Sequence, residues 1–107
     1  MKKVGLLLIV VLAVVLFAGC TLDPDATYSV IYLDNRSTSG FSPIDRNEYK
    51  SGDEATVLGP GTLLKEGYTF LRWNTDAKGT GESYSGGDTI KIKNKTVFLY
   101  AIWVVKP

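Results

Sequence analysis

The side chains of this sequence that could carry out acid–base chemistry are carboxylates. The candidates, eight of the eleven acidic residues, are Asp34, Asp45, Glu48, Asp53, Glu54, Asp76, Glu82 and Asp88. A carboxylate pair can hydrolyse glycosides when its two environments push the pKa values apart within a cleft. Here each carboxylate falls in or beside a predicted turn or strand end, where solvated acids are ordinary. The sequence contains no histidine for a general base or a Ser-His triad. We therefore expect no enzyme.

Metal and phosphate sites are also not expected. The spacing Asn74-x-Asp76-x-Lys78-Gly79 partly matches a calcium loop. An EF-hand, however, needs an oxygen ligand in place of Lys78 and a glutamate in place of Ser85. The glycines at 79, 81, 86 and 87 suit hairpin turns, and no helix with a Walker lysine follows them. We predict a turn here, with no metal and no cofactor.

The chain has one cysteine, Cys20, which follows an apolar leader. Two lysines precede an apolar run from Val4 to Phe17, which is short for a membrane span of about 20 residues and fits a secretory signal. Phe17-Ala18-Gly19-Cys20 resembles the lipobox of bacterial lipoproteins. The resemblance implies cleavage before Cys20 and covalent diacylglyceryl and N-acyl groups on that residue. The alternative is a free cysteine behind an uncleaved helical anchor.

The remaining chain is short and nearly neutral. We predict a signal peptide at 1–19, a lipidated cysteine and tether at 20–27 and one domain at 28–107. Loss of the two leader lysines changes the net charge from +1 to −1, which argues against a nucleic-acid partner. Lipidation of Cys20 would also remove the only thiol, so that no disulfide or thiolate site is expected.

The elements that must position any site are short strands. Aromatic and β-branched runs between turn signals predict strands at 28–33, 54–58, 67–74, 89–93 and 97–103. Ile90 and Ile92 alternate with lysines and should point inward. One helical turn is predicted at Asp45–Lys50, with Asp45 as its cap. The pattern is that of a β-dominated domain, α+β at most.

The densest aromatic stretch also carries a family resemblance. Gly67-Tyr68-Thr69-Phe70-Leu71-Arg72-Trp73-Asn74-Thr75, the turn glycines 79 and 81, Tyr84, and the closing run from Thr96 to Trp103 resemble a Listeria–Bacteroides repeat, the internalin B-repeat type of module. The resemblance covers roughly residues 27–103 and implies a small β-grasp-like sheet. Arg72 stands where the family usually has glycine.

Aromatic residues divide into a predicted core and a predicted surface. The core set is Tyr68, Phe70, Trp73, Leu99 and Trp103. Alternation along the last strand instead favours an exposed patch, proposed to bind a ligand. That patch consists of Tyr32, Arg72, Phe98 and Tyr100. Arg72 would add a cation–π or polar contact to it.

Two functions follow from these observations. The first is an exported protein, lipid-anchored to a bacterial membrane and facing away from the cytoplasm, whose domain binds a protein or glycan without catalysis. The second is a structural spacer, or an envelope lipoprotein that self-associates weakly and has no ligand of its own. A binder should show a contiguous aromatic patch, and a spacer a uniformly polar surface.

Overall fold

A computed structural model describes residues 23–107. This part of the chain forms six β-strands and contains no helix, which confirms the β-dominated fold class. The strands are β1 (Val30–Leu33), β2 (Glu54–Thr56), β3 (Tyr68–Asn74), β4 (Ser83–Tyr84), β5 (Thr89–Lys91) and β6 (Val97–Val105). All except β4 overlap a predicted strand, because β-branched and aromatic side chains pack well on a pleated surface. The short strand β4 was not among the predicted strands.

The strands form two sheets. The larger has the order β1-β6-β3-β4, with β1 and β6 parallel and the other neighbours antiparallel. The smaller is the antiparallel pair β2-β5. The first and last strands of the domain thus lie side by side, and β6, the longest and most apolar strand, is central. Its backbone pairs on both edges, with β1 on one side and β3 on the other.

The core lies between the two sheets. Its buried apolar side chains come from β1, β3 and β6 on one side and from residues 55–63 and 90–92 on the other. They are Val30, Tyr32, Ala55, Val57, Leu63, Trp73, Ile90, Ile92, Leu99 and Ala101. Ile90 and Ile92 point inward, as their alternation with lysines predicts. The side of the larger sheet that faces the core is called the inner face below, and the opposite side the outer face.

A β-bulge in β3 determines which aromatic side chains reach the core. Phe70 pairs with Trp103 and Arg72 pairs with Ile102, so that Leu71 is an extra residue in β3. Strict alternation would place Phe70 and Trp73 on opposite faces. The bulge places them on the same face, where their ring centroids lie 5.1 Å apart. Leu71 remains on the surface, 44% exposed.

The predicted helical turn at Asp45–Lys50 is wrong. Asp45 Oδ1 accepts the N–H of Asn47, two residues on, in an Asx turn, and does not cap a helix. Tyr49 exchanges both backbone hydrogen bonds with Tyr28, at 2.7 and 2.8 Å. The segment is therefore extended and lies along the outer edge of β1, where Ile44 also bridges Ile31. Pairing with β1 satisfies backbone groups that a single helical turn would leave free.

Candidate functional site

The outer face of the larger sheet carries most of the surface that was predicted to bind. Phe98, Tyr100 and Ile102 point to this face from β6, opposite Leu99 and Ala101 on the inner face. Ile31 is the β1 partner of Phe98, and Arg72 is the β3 partner of Ile102. Phe98 is 49% exposed and Ile31 is 38% exposed. The two adjacent side chains form the apolar end of this face.

The loop that follows β3 limits the exposure of the other end. A Cβ atom on Gly79 would lie 3.7 Å from Ile102 Cδ1, so the loop passes close to the outer face of β6. The Asn35 side-chain amide donates to Ala77 O at 3.0 Å and to Ala101 O at 2.7 Å, which ties the loop to the end of β1. Tyr100 and Ile102 are consequently only partly exposed.

Arg72 and Phe98 share the outer face but are well separated. Arg72 stands opposite Ile102, and Phe98 lies four residues further back along β6. At about 3.3 Å per residue the two positions are roughly 13 Å apart along the strand. Arg72 is exposed, and no cation–π contact joins it to the Phe98 ring. Within residues 23–107 the cation–π contact is made instead by Lys65 Nζ, 4.4 Å from the centre of the Tyr68 ring.

Tyr32 does not belong to an exposed patch, contrary to the prediction. It is only 5% exposed, and its ring packs edge-on against Trp73 with centroids 4.8 Å apart. Its hydroxyl oxygen accepts the Leu58 N–H at 2.9 Å. Loss of water raises the pKa of the Tyr32 hydroxyl above its ordinary value. Even-numbered β1 residues face the core, and alternation alone could not show which side would be covered.

The five residues predicted to form the core differ in depth. Trp73 and Leu99 are fully buried. Phe70 and Trp103 are partly buried against the core, with ring centroids 5.9 Å apart. Tyr68 lies at the edge, half-buried beneath Lys65. Indole N–H groups anchor two loops: Trp73 Nε1 donates to Leu58 O at 2.8 Å, and Trp103 Nε1 to Asp34 O at 3.1 Å.

A groove of about 670 Å³ opens beside the start of β6 and was not predicted from the sequence. Its walls come from β4, β5 and residues 93–98. The lining residues are Thr75, Glu82, Tyr84, Ile90, Lys91, Lys93, Lys95, Thr96, Val97 and Phe98. This volume is within the usual range for ligand sites. The alternating lysines are the available signal, but alternation alone indicates only a solvated strand face.

A second, more polar groove of about 480 Å³ lies near the other end of β6. Arg36, Lys65 and Lys78 contribute cationic side chains to it, and Tyr68 and Trp103 contribute aromatic ones. Lys65 already contacts the Tyr68 ring. The two grooves therefore differ in that the larger one has more apolar lining and lies next to the exposed Phe98 ring.

The side-chain oxygen atoms of the calcium-like motif accept hydrogen bonds from residues of the turn itself. Asn74 Oδ1 accepts the N–H groups of Asp76 and Gly81, at 2.8 and 2.9 Å. Asp76 Oδ2 accepts the Lys78 N–H at 2.8 Å and the Thr80 hydroxyl at 2.9 Å. The Thr80 hydroxyl, followed by the Lys78 N–H, lowers the pKa of the Asp76 carboxyl. Gly81 has no room for a Cβ atom beside Thr75 Oγ1.

The family of the chain follows from a match over most of its length. Residues 28–102, from Tyr28 beside β1 to Ile102 in β6, match the model of the Listeria-Bacteroides repeat domain. The chain belongs to this family. The matched range contains all six strands except the last residues of β6, so that one repeat domain includes both sheets. The two grooves and the outer face are therefore features of one repeat domain.

Two curated relatives of this repeat protein come from Evansella cellulosilytica. One, named "Putative membrane protein", is 38% identical over 76 residues, which are 71% of this chain and 11% of the relative. The other, named "Putative Gly-rich membrane protein", is 39% identical over 79 residues, or 73% of this chain and 9% of the relative. The chain thus spans about a tenth of the length of either relative. No solved structure matches the chain.

The predicted leader and lipidation site lie outside the described residues, since the description begins at Asp23. The predicted signal peptide at 1–19 and Cys20 therefore stay predictions. Within residues 23–107 no helix is long and apolar enough to span a membrane. In the same part of the repeat protein, no group of three or more carboxylate or thiol side chains is placed to hold a metal ion.

Proposed function

We propose that this repeat protein is anchored to a bacterial membrane by lipid on Cys20 and displays its domain as a non-catalytic binding module for a protein or glycan. The order of the leader supports the anchor: two lysines, an apolar run, small residues and then Cys20. The names of the two relatives both include the words "membrane protein", which agrees with a location at a membrane. The internalin B-repeat resemblance agrees with display at the cell surface.

The anchor has a simple physical basis. Each methylene group buried in the bilayer contributes about 0.8 kcal/mol, and one acyl chain alone holds a protein only marginally. Diacylglyceryl and N-acyl groups together would give stable attachment. The residues between Cys20 and Tyr28 are few and include Pro24, so the domain would lie close to the membrane. It would face away from the cytoplasm, because the leader directs export.

The anchor can be tested by mass spectrometry of the chain expressed in a bacterium that processes lipoproteins. We expect loss of residues 1–19 and a mass increase on Cys20 that corresponds to the acyl groups. Cys20→Ser should abolish the increase and leave residues 1–19 attached. A wild-type chain that keeps residues 1–19 and an unmodified Cys20 would contradict the lipid anchor.

The observation that best supports the binding role is the half-exposed Phe98 ring, which lies at the edge of a large groove and beside Ile31. Aromatic side chains that are partly exposed beside a concavity provide contact area at low entropic cost. The binding test is an amide chemical-shift titration of the full chain in detergent micelles, with cell-wall fragments, glycans and matrix proteins added in turn. Shifts that centre on Phe98 and Tyr100 support this role.

The second candidate is a spacer or self-associating envelope protein, and a different part of the surface favours the self-associating form. Leu71, Val104 and Val105 are 44%, 39% and 71% exposed near the C-terminal end of β6. The β1–β6 ladder ends at Leu33 and Tyr100, and the Asn35 side chain then bonds Ala101 O, so that the last residues of β6 have no strand of the described chain beside them on that edge. If sedimentation shows concentration-dependent association and no ligand shifts Phe98, this second function is preferred.

A further inference from the structure

The larger groove occupies a gap in the sheet. β6 begins at Val97, but its neighbour β3 ends at Asn74, which pairs with Tyr100. Beyond that pair the chain turns away from β6, because the side chains of Asn74 and Asp76 accept hydrogen bonds from backbone N–H groups of the following loop. Residues 97–99 therefore have β1 on one side and the groove on the other. The groove lies where β3 would continue if it were longer.

The backbone of Phe98 faces this gap. The Val97 N–H donates to Ser29 O at 2.9 Å, on the β1 side of β6. Successive residues of a strand direct their backbone groups to opposite edges. The N–H and C=O of Phe98 thus point towards the groove, where no β3 residue stands opposite them. A pair of backbone groups at an open edge can accept an added strand.

The groove combines an apolar lining with a cationic rim. Ile90, Val97 and Tyr84 contribute apolar surface between the two sheets. Lys91, Lys93 and Lys95 line the same groove and are all exposed. Three of the twelve cationic residues of the chain therefore lie at alternate positions within five residues. The predicted mature chain has a net charge of −1. The positive charge at the groove is therefore a local concentration of lysines and does not reflect a basic protein.

Two carboxylates lie near the lysines, and neither one neutralises Lys93 or Lys95. Glu82 lines the groove, and its Oε2 accepts the Tyr84 hydroxyl at 2.8 Å. Glu54 stands opposite Lys91 in the β2–β5 ladder, where it offsets part of that charge. Lys93 and Lys95 lie beyond the end of this ladder. The groove therefore presents an excess of positive charge, chiefly from these two lysines, to whatever enters it.

We propose that this groove binds an extended acidic peptide segment of a partner protein. The segment pairs with the backbone of Phe98, as a short continuation of β3 would, and places its carboxylates against Lys93 and Lys95. The free backbone groups favour a peptide over an anionic glycan, because a glycan cannot form a β-ladder. This inference rests on the proposed binding function and specifies the class of its ligand.

The probe is a blocked pentapeptide of alternating valine and glutamate, titrated into the isotope-labelled full chain in detergent micelles. We expect saturable amide shifts at Thr96–Phe98 and Glu82–Tyr84, with affinity that falls as salt is raised. A peptide with lysine in place of glutamate controls for charge. A peptide N-methylated at its central amide controls for backbone pairing, and both should bind at least about tenfold more weakly.

The matched variants change the same charge at two places. Lys93→Glu with Lys95→Glu should weaken the glutamate peptide about tenfold or more. Lys78→Glu with Lys106→Glu makes the same change in net charge away from the groove, at the second groove and beyond β6, and should leave binding nearly unchanged. All four lysines are exposed, so the folded amide spectrum should persist in both variants.

The outcomes separate this inference from the function on which it rests. Equal binding of the lysine peptide, or equal weakening by the two double variants, overturns the acidic-peptide proposal. Shifts at the groove with an anionic glycan such as polygalacturonate, but not with the peptide, also overturn it and leave the display function intact. Full binding of the N-methylated peptide removes the backbone-pairing step and contradicts the proposal in its stated form.

Discussion

Leu99 and Phe98 are neighbours in β6, yet Leu99 is 0% exposed and Phe98 is 49% exposed. The β2–β5 pair covers the inner face, and Trp73, Tyr32 and Leu99 pack beneath it. The outer face has no second sheet within the described residues, and the loop after β3 lies near only one end. One apolar strand thus supplies the core on one side and an accessible surface on the other.

The difference lies in what covers each face, since the hydrophobic content of the two is similar. Val97, Leu99, Ala101 and Trp103 alternate with Phe98, Tyr100 and Ile102. Burial of an apolar side chain contributes to folding only where other atoms exclude water from it. We therefore expect inner-face substitutions to affect the free energy of unfolding, and substitutions at the open end of the outer face to affect binding.

The largest effect should come from Trp73→Ala. Removal of this buried indole should lower the free energy of unfolding by about 3–5 kcal/mol, because a cavity remains and its hydrogen bond to Leu58 O is lost. A small domain is marginally stable, so the variant should be largely unfolded at 37 °C. Urea unfolding followed by circular dichroism measures this. Leu99→Ala should cost about 2–5 kcal/mol in the same assay.

Trp103→Ala is the control for this prediction. Trp103 is only partly buried and bonds a surface carbonyl, Asp34 O, so its loss should cost clearly less than the loss of Trp73. If the two tryptophan variants lost the same free energy of unfolding, Trp73 would not be the main contributor to the core. The contrast between the buried inner face and the open outer face would then be contradicted.

The next effect concerns the loop near the outer face. Asn74→Ala should lower the free energy of unfolding by about 2 kcal/mol, since Asn74 is 1% exposed and makes four hydrogen bonds to the loop and β4. Hydrogen exchange at residues 76–81 should accelerate more than exchange in β6. The exposed Asn94→Ala makes the same chemical change and should stay within about 0.5 kcal/mol. Unchanged exchange in the loop would show that Asn74 does not hold it.

The fold class was predictable because β1, β3 and β6 are apolar or aromatic runs between turn residues. The faces were less predictable, because one extra residue, Leu71, reverses the alternation within β3. Nothing in the side-chain pattern marks such a bulge, and it decides that Phe70 joins Trp73 in the core. Similarly, Tyr32 carries an apolar ring at a position of β1 whose burial depends on the β2–β5 pair, which is distant in sequence.

The candidate site was predicted only in part. Phe98 and Tyr100 lie on one face, as their spacing indicates, but Arg72 lies at the other end of that face. The groove depends on where β3 stops, and β3 stops because Asn74 bonds the loop instead of continuing the ladder. Such an ending results from side-chain geometry within a turn. Composition indicates that a turn is present but does not show the gap that the turn leaves in the sheet.

A smaller effect on stability is expected for Phe98→Ala. Because half of this ring already contacts water, its removal should lower the free energy of unfolding by only about 1 kcal/mol. The Leu99→Ala variant, one residue away, should lose at least about twice as much. In a ligand titration the Phe98→Ala chain should remain folded, but the amide shifts that ligand causes at the groove should be smaller than in the wild-type chain. A Phe98→Ala variant as unstable as Leu99→Ala would mean that the outer face is covered in solution.

The smallest effect is a pH dependence at the tip of the loop after β3. The Thr80 hydroxyl and the Lys78 N–H lower the pKa of Asp76, so its carboxylate favours the folded loop above the unfolded pKa. That contribution should be lost as pH falls through the lower, folded pKa. A carbon-detected titration of the carboxyl group measures the midpoint, and Thr80→Val should raise it towards the ordinary value.

Because Asp76 contacts only its own loop, acid should loosen residues 76–80 while the Trp73 side-chain signals persist. Simultaneous loss of both would mean that the loop and the inner face unfold as one cooperative unit.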